Sequence, residues 1–254
     1  MIIEARKKHI VELIEKQGIV TLQQLSDTFE VSIYTIRRDL TTLEKKGLIQ
    51  KTHGGARKIE KSKWLPSFQE GSLEAIEQKK AIALKASTLV EQGDTIFLMG
   101  SMISLLMIPL IKDLHITIVT NSLDVAKELS IINNIETILI GGKIKNEKGN
   151  ILGATAVEHL SNFHLDKAFI PCAGIHHDIG ISTSTIDSSA FLKALISCSR
   201  QNIVVADYRK FRRITFAKVC NFEKIHMIIT DKKANKDELK RLEENHVHIE
   251  IAHT

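Results

Sequence analysis

Cysteine is scarce in this chain of 254 residues, and its pattern excludes two classes of protein. The three cysteines, Cys172, Cys198 and Cys220, are odd in number and lie far apart along the chain. They therefore supply neither a disulfide framework nor a CxxC pair for metal or redox chemistry. We expect free, buried thiols in a reducing compartment.

Long hydrophobic runs are also missing. The longest apolar stretch spans residues 102–111 and contains Ser104 and Pro109. A membrane-spanning helix needs about 20 apolar residues, so this stretch does not predict one. Acidic residues interrupt the basic N-terminal stretch, which argues against a signal peptide. We therefore expect a cytoplasmic protein.

Net charge is divided unevenly along the chain. Residues 1–63 hold 13 Lys and Arg against 8 Asp and Glu, whereas residues 64–254 hold 22 of each kind. The whole net charge of +5 thus belongs to the first segment, where it would attract a polyanion such as DNA. The hydrophobic content of 43% predicts packed cores, and the length allows two domains.

The stretch from Val31 to Leu43 predicts the recognition helix of a DNA-binding domain. Ser32 is a suitable N-cap for a helix that begins at Ile33, because its hydroxyl can accept a hydrogen bond from the amide of Tyr34 or Thr35. At about 100° per residue, an apolar face packs inward, and it consists of Ile33, Ile36, Leu40 and Leu43. The opposite face and its flanks are polar, with one carboxylate at the edge, and they consist of Tyr34, Thr35, Arg37, Arg38, Thr41 and Thr42.

This polar face suits base edges and phosphates in a major groove. From this stretch alone, an ordinary amphipathic helix with a solvated basic face is an equal alternative. The preceding residues favour the first interpretation. Residues 3–17 predict a helix that Gly18 ends, and Thr21 with Gln24 predicts the capping box of a second helix. The short connection to the third helix is typical of a helix-turn-helix.

A β-hairpin is predicted after the recognition helix, which should end at Gly47. Apolar and polar residues alternate over residues 48–52, and Gly54 and Gly55 permit the positive φ of a tight turn. A hairpin in this place is the wing of a winged helix. Its basic side chains would contact phosphates or the minor groove, and they are Lys51, His53, Arg57 and Lys58. For His53, a hydrogen bond to the backbone of its own turn is an equal alternative.

The residues of this region resemble the signature of DeoR-type bacterial transcriptional repressors. The matching positions are Arg6, Ser32, residues 35–40, Leu43, Gly47, Ile49 and residues 53–56. The resemblance implies a winged helix at the N-terminus and a sugar-phosphate-sensing domain after it.

Beyond a linker predicted at residues 61–75, strand-like and helix-like segments alternate. The predicted strands are residues 95–99, 116–120, 136–140, 167–171, 202–206, 226–230 and 246–251. The predicted helices are residues 77–91, 101–111, 122–132, 155–162, 187–200 and 236–245. Short, nearly unbroken apolar runs that alternate with helices predict a mainly parallel α/β sheet with helices on both faces. We therefore expect a small α+β winged helix-turn-helix domain at residues 1–60 and an α/β domain for effector sensing and oligomerisation at residues 76–254.

Parallel α/β sheets bind ligands at the carboxyl ends of their strands, near a switch in strand order. The segments that leave these ends carry glycines, small hydroxyls, an amide and lysines, which can bind a phosphate. The candidate effector-binding residues are Gly100, Ser101, Asn121, Ser122, Gly141, Gly142, Lys143, Gly174 and Lys210. The same region resembles the sensor domain of DeoR-type repressors, which is similar in fold to ribose-5-phosphate isomerase. The matching residues are 120–122, 140–143, 166–169, 174–175, 206–207 and 210–211.

Several positions depart from the pattern of that family. Polar groups that the resemblance implies are replaced here by apolar or neutral ones, at Met99, Met102, Ile103, Ser188 and Leu192. Further departures are Gly71, His176 and Lys193. An apolar side chain cannot accept the hydrogen bonds that a sugar gives up on leaving water, so affinity for the usual ligand should fall. Two explanations stay open: a less polar effector, or a sensor pocket that has lost its ligand and serves as an oligomerisation scaffold.

Our leading hypothesis is a repressor of a sugar-metabolism operon, acting without a cofactor as a dimer or larger oligomer on double-stranded operator DNA. A sugar phosphate bound in the second domain would change its DNA affinity. The rival is a sugar-phosphate isomerase or deaminase with an appended DNA-binding module. Such an enzyme needs a carboxylate near the bound phosphate, and Asp178, Asp187 and Asp207 are available.

A metal site is a third hypothesis, because His176, His177 and Asp178 are consecutive. Adjacent histidines point apart in most conformations, so we predict exposed loop residues here and no metal. His246 and His248 are expected to alternate along the last strand and share one face.

Overall fold

The computed structural model of the protein describes residues 3–45, 49–52, 54–57, 75–145 and 149–253. The chain divides into two compact units, Met1–Ser67 and Phe68–Thr254. Among the described residues, no helix combines the length and the apolar character needed to cross a membrane.

The first unit is a three-helix bundle with a small sheet, as the winged-helix prediction requires. Its elements are α1 (Ile3–Gln17), β1 (Ile19–Thr21), α2 (Leu22–Phe29), α3 (Ile33–Lys45), β2 (Gln50–Thr52) and β3 (Gly55–Arg57). Gly18 ends α1 with a φ of +79°, and the capping box of Thr21 and Gln24 begins α2. The predicted stop at Gly47 lies outside the described residues.

Strand β1 is an addition to the prediction. It pairs antiparallel with β3, so the sheet has the order β1-β3-β2 and the wing is fastened to the start of α2. The approach is close, since a Cβ on Gly55 would lie 2.0 Å from the carbonyl oxygen of Val20. Only glycine fits this position.

The second unit is built on a seven-stranded sheet in which every neighbouring pair is parallel. The strands are β4 (Thr95–Leu98), β5 (Ile116–Thr120), β6 (Ile135–Leu139), β9 (Leu165–Pro171), β12 (Ser199–Val205), β14 (Met227–Asp231) and β15 (Ile249–Ala252). Each corresponds to one predicted strand, so the α/β prediction is confirmed. The order β15-β14-β12-β9-β4-β5-β6 changes direction at β4 and β9.

Helices cover both faces of this sheet. They are α4 (Ile76–Ser87), α5 (Met102–Ile111), α6 (Leu123–Leu129), α7 (Ala154–Leu160), α8 (Ile186–Cys198) and α9 (Lys236–Glu244). Alternate side chains of β4 separate the two cores, because Ile96 and Leu98 join one apolar cluster and Phe97 joins the other. Helices α4 to α6 supply the first cluster, and α7 to α9 supply the second.

Two smaller sheets were not predicted. One is the hairpin of β7 (Lys143–Lys145) and β8 (Asn150–Leu152). The other joins β10 (Gly174–His176), β11 (Gly180–Thr183) and β13 (Ala217–Cys220). The last strand also begins later than expected. His246 lies in the turn after α9 with a φ of +60°, so the prediction that it shares a strand face with His248 is wrong.

Candidate nucleic-acid interface and effector crevice

Helix α3 begins as its sequence predicts. The Oγ of Ser32 accepts a hydrogen bond from the amide of Thr35 at 3.2 Å, and the two hydroxyl oxygens lie 3.0 Å apart. This cap satisfies an amide that the first turn would otherwise leave unpaired. The expected N-cap therefore fixes where the helix starts and which residues follow on each face.

The outward face of α3 carries a phenol and two guanidinium groups. Tyr34 is 78% exposed, and Arg37 and Arg38 are exposed beside it. Ile36, Leu40 and Leu43 are buried, as predicted. The prediction that Ile33 packs inward is wrong, since its side chain is 37% exposed and lies outside the apolar cluster. Ile33 is the first residue of α3, and the first turn of the helix projects beyond that cluster.

The carboxylate of this helix is turned inward. Asp39 was placed at the edge of the polar face, yet its side chain is only 6% exposed and its Oδ2 lies 2.7 Å from Nε of Arg6 on α1. The Arg6 side chain is 9% exposed, so this is a buried ion pair between the first and third helices. Sequence reasoning missed the pair, although both residues belong to the family signature. The consequence is that the Asp39 carboxylate is buried away from the exposed guanidinium groups of Arg37 and Arg38.

The wing is hydrogen-bonded to the recognition helix. The Nζ of Lys51 donates to Oγ1 of Thr41 at 2.9 Å, and the backbone N–H of Lys51 donates to Oε1 of Glu44 at 2.9 Å. Two residues that were predicted to contact DNA separately, Lys51 and Thr41, thus contact each other. Arg57 lies on β3, opposite Gln50 in the register. His53 and Lys58 lie outside the described residues.

In the second unit, the carboxyl ends of β4 and β5 bring four of the candidate effector residues together. Ser101 caps α5, where its Oγ accepts the amide of Ser104 at 3.1 Å, and Ser122 caps α6. A Cβ on Gly100 would lie 2.8 Å from Oγ of Ser122. Asn121 is fully buried, and its Nδ2 donates to the carbonyl of Ile151 at 3.0 Å.

Asn150, on strand β8, is a residue that sequence reasoning missed at this crevice. Its Oδ1 lies 2.1 Å from where a Cβ of Gly100 would stand, so glycine is required there. The Oδ1 atoms of Asn150 and Asn121 are both buried, and neither has a hydrogen-bond partner among the described residues. Buried acceptors normally have a donor, so these atoms suit a hydroxyl-bearing ligand or an ordered water.

The Gly141-Gly142-Lys143 loop leaves the neighbouring strand β6. The amide of Gly141 donates to Nδ1 of His159 at 3.0 Å. Gly142 has a φ of +142°, where a side chain would be strained. Lys143 is exposed, and Lys145 two residues later forms a 2.7 Å ion pair with Asp187 at the start of α8.

Gly174 follows β9 and Lys210 follows β12, so both lie across the change in strand order from β4 and β5. Gly174 belongs to β10, and a Cβ on it would lie 2.3 Å from the carbonyl oxygen of Arg213, so its place is packed. Lys210 ends a 3-10 turn after β12 and is half-buried. Burial raises the pKa of the nearby Cys172 thiol to about 12, with Lys210 opposing this rise. Cys172 follows the last residue of β9, so Lys210 lies near the carboxyl end of that strand.

The positions that depart from the family pattern do not all lie at the candidate effector crevice. Met99, Ile103 and Leu192 are at most 6% exposed and pack in the two cores. Met102 and Ser188 are half-buried, and Gly71 lies outside the described residues. The expectation that each of these positions lowers the polarity of the crevice is therefore too broad.

The carboxylates of the enzyme hypothesis have structural partners. Asp187 pairs with Lys145, and Asp207 caps its turn and binds Nε of Arg209 at 2.7 Å. Burial raises the pKa of Asp207, but the hydrogen bonds and charge of Arg209 outweigh this and hold the pKa below its usual range. Asp178 is exposed in the turn between β10 and β11.

The prediction for the adjacent histidines is wrong in its geometry. The rings of His176 and His177 stack, with centroids 4.5 Å apart and planes 20° apart, rather than pointing in different directions. Neither is a solvent-exposed loop residue, since their side chains are 23% and 13% exposed. The turn into β11 holds both rings against α9.

Comparison with known proteins agrees with this architecture. Residues 6–62 match the DeoR-like helix-turn-helix domain, and residues 74–232 match the DeoR C terminal sensor domain. The chain is 32% identical to the uncharacterized HTH-type transcriptional regulator YulB of Bacillus subtilis, over 98% of this chain and 96% of that protein. It is 32% identical to the HTH-type transcriptional regulator GolR of Listeria innocua, over 97% and 98%.

The glycerol-3-phosphate regulon repressor of Escherichia coli is 29% identical, over 97% of this chain and 98% of that protein. Among solved structures, ribose 5-phosphate isomerase of Methanocaldococcus jannaschii is 17% identical with a TM-score of 0.39, covering 54% of this chain and 55% of that one. A likeness this distant carries no argument. The two family domains and the full-length relatives are decisive instead: they show that the chain belongs to the DeoR family of transcriptional regulators.

Proposed function

We propose that this regulator is a repressor that binds operator DNA through the outward face of α3 and through its wing. The observation that carries the proposal is the inward turn of Asp39 onto Arg6, which buries this carboxylate and leaves its neighbours Arg37 and Arg38 exposed. Phosphate binding by such a surface is electrostatic and releases counterions, so it weakens steeply with salt. The proposed DNA contacts are Ser32, Tyr34, Thr35, Arg37, Arg38, Thr41, Lys51, His53 and Arg57.

The proposed effector is a phosphorylated sugar or a related metabolite. One relative, the glycerol-3-phosphate regulon repressor of Escherichia coli, is named for a phosphorylated metabolite, and another is named as the putative aga operon transcriptional repressor of Escherichia coli O157:H7. In this chain, the support is two buried oxygens that have no partner among the described residues: the Oδ1 of Asn150, which lies beside Gly100, and the Oδ1 of Asn121. Such acceptors suit sugar hydroxyls. The effector changes operator occupancy only if it binds the free and DNA-bound conformations unequally.

We further propose a dimer or larger oligomer on paired half-sites, working in the cytoplasm without catalysis. Each half-site then receives one recognition helix, and the second unit is the natural place for the chains to associate. The absence of catalysis is supported by the partners of Asp187 and Asp207, which leave neither free to act as a general base. Turnover of ribose 5-phosphate would contradict this part of the proposal.

The test begins with genomic DNA fragments selected by the full-length protein, followed by affinity measurements at two salt concentrations. We expect one enriched sequence, bound with a steep loss of affinity as salt rises. Calorimetry with a panel of sugar phosphates then measures effector binding, and each binder is added to the DNA complex. No enriched sequence would overturn the DNA assignment. No heat from any sugar phosphate would instead favour a sensor pocket that serves only as an oligomerisation scaffold.

A further inference from the structure

A cluster of imidazole and carboxylate groups lies at the turn between β10 and β11. The ligating atoms of His176, His177 and Glu238 all lie within 4.8 Å of one another. Glu238 is in the first turn of α9, and its side chain is only 2% exposed. A carboxylate this deeply buried requires a cation or several hydrogen-bond donors.

Glu238 holds the imidazole of His177 in one orientation. Its Oε2 lies 2.8 Å from Nδ1 of the ring, and its Oε1 accepts the backbone N–H of the same residue at 2.8 Å. The Nδ1 of His177 must carry the proton to donate to a carboxylate, which leaves the lone pair on Nε2. A carboxylate behind an imidazole in this way is the usual support of a metal-binding histidine.

The Nε2 of His177 faces further donor atoms. Oδ2 of Asp178 is 3.2 Å from it and 3.9 Å from Nδ1 of His176, whose ring stacks on that of His177. Donor atoms around a tetrahedral ion with bonds of about 2.0–2.1 Å stand about 3.3 Å apart. Without a metal ion, positive charge beside these two acceptors comes from the guanidinium of Arg241, whose Nη1 lies 2.8 Å from Nε2 of His177.

We propose that this turn binds a divalent transition-metal ion of the zinc type, with His176, His177 and Asp178 as ligands and Glu238 as the orienting carboxylate. Two imidazoles with one carboxylate are a donor set that Zn²⁺ accepts, with the fourth position open to water. The ion would fix the conformation of the turn between β10 and β11, and the hydrogen bonds between His177 and Glu238 join this turn to α9, which follows the carboxyl end of β14.

Arg241 competes with the metal ion. Its Nη1 lies 2.8 Å from Nε2 of His177, so the guanidinium donates to the lone pair that the ion needs. Arg241 is exposed and can turn toward solvent. Removing this side chain should therefore increase metal affinity, whereas a purely structural role for the cluster gives no reason for such an increase.

The test uses the full-length protein, freed of metal by a chelator and titrated with Co²⁺. We expect saturable binding with a visible absorption band, lost when Zn²⁺ displaces Co²⁺. His176→Ala and Asp178→Ala should abolish the band. The matched control is His248→Ala, because His248 is 57% exposed with Glu250 3.3 Å away and lies outside the cluster. This control should bind Co²⁺ like the unmodified protein.

Arg241→Ala should bind Co²⁺ about tenfold more tightly, the value of one charge-assisted hydrogen bond. Glu238→Gln should weaken binding by about 10–100-fold, provided that its circular dichroism spectrum is unchanged. The proposal is overturned if Co²⁺ does not bind saturably, or if His176→Ala binds as well as the unmodified protein. It is also overturned if Arg241→Ala binds no more tightly.

Discussion

The two units of the chain treat their charged side chains in opposite ways. In the first unit, α3 turns Asp39 inward onto Arg6 and leaves Arg37 and Arg38 outside. Residues 1–63 hold 13 Lys and Arg against 8 Asp and Glu. Part of this excess positive charge is thus exposed on the outward face of α3. A surface of this kind attracts a polyanion from a distance.

In the second unit, buried charges are used to join elements of the structure. Lys167 on β9 lies 2.6 Å from Asp94, which precedes β4, and this pair holds the central strands together at their amino ends. The unit has equal numbers of acidic and basic residues beyond residue 63, so it has no excess charge to offer DNA. The buried ion pair of the first unit joins α1 to α3 and supports the proposed DNA-binding face, whereas that of the second unit joins β9 to the residue before β4.

The largest expected effect comes from breaking the inward pair of the first unit. Arg6→Met leaves the carboxylate of Asp39 buried without a cation, which should destabilise this unit by about 3–5 kcal/mol. Urea unfolding followed by circular dichroism measures the loss. The double variant Arg6→Met with Asp39→Leu removes both charges and should recover most of it. Equal loss in the single and double variants would show that the pair is not electrostatic in origin.

The outward arginines give the next largest effect, this time on binding. Arg38→Ala should weaken operator binding by about 1–3 kcal/mol if the side chain contacts a base, without changing the unfolding free energy. Fluorescence anisotropy with labelled operator DNA measures the affinity. The control is Lys112→Ala, which removes an exposed cation from the second unit. If both variants bind alike, the outward face of α3 is not the contact surface.

Two matched caps sharpen the comparison between the units. Ser32 caps α3 at 3.2 Å and Ser101 caps α5 at 3.1 Å, so Ser→Ala should cost about 1 kcal/mol of stability at each. We expect Ser32→Ala to weaken DNA binding with effector affinity unchanged, and Ser101→Ala to do the reverse. Anisotropy and calorimetry on both variants measure this. Loss of both activities in both variants would mean that the caps act only through folding.

The smallest expected effect is on how the free energy of unfolding changes with pH in the acidic range. The pKa of Asp207 is lowered in the folded state, because the hydrogen bonds and charge of Arg209 outweigh the effect of burial. Its contribution to stability is thus present above the unfolded pKa of about 3.9 and is lost as pH falls through the lower folded value. Asp207→Asn should flatten the fall in unfolding free energy below about pH 4. Asp113→Asn, at an exposed site, should not.

Most of the fold could be predicted because it depends on local patterns. All seven strands of the large sheet and its six helices are marked by apolar runs and periodicity, and caps such as Ser32 and Thr21 need only a few neighbouring residues. The strands that were missed are short. Strands β1 and β8 have three residues each, too few for alternation to be visible. Strand β1 pairs with the distant β3, and β8 pairs with β7 in a short hairpin.

The candidate sites were less predictable, since their essential contacts join distant residues. Arg6 and Asp39 are 33 positions apart, and nothing around either residue indicates the other. Asn150 stands against Gly100 only because β8 returns across the carboxyl end of β4. The stacked histidines were misjudged for the same reason, because Glu238 of α9 fixes the ring of His177 from 61 residues away.

The hydrogen bond from Lys51 to Thr41 has a consequence for how the protein meets a duplex. With the wing tied to the helix by this bond and by that from Lys51 to Glu44, the separation between their contacts is set before DNA arrives. If α3 and β2 contact DNA as proposed, little ordering of β2 is needed on association, so its entropic cost is small. Under that proposal, a groove whose width does not match the separation would bind poorly, and the shape of the duplex would contribute to specificity.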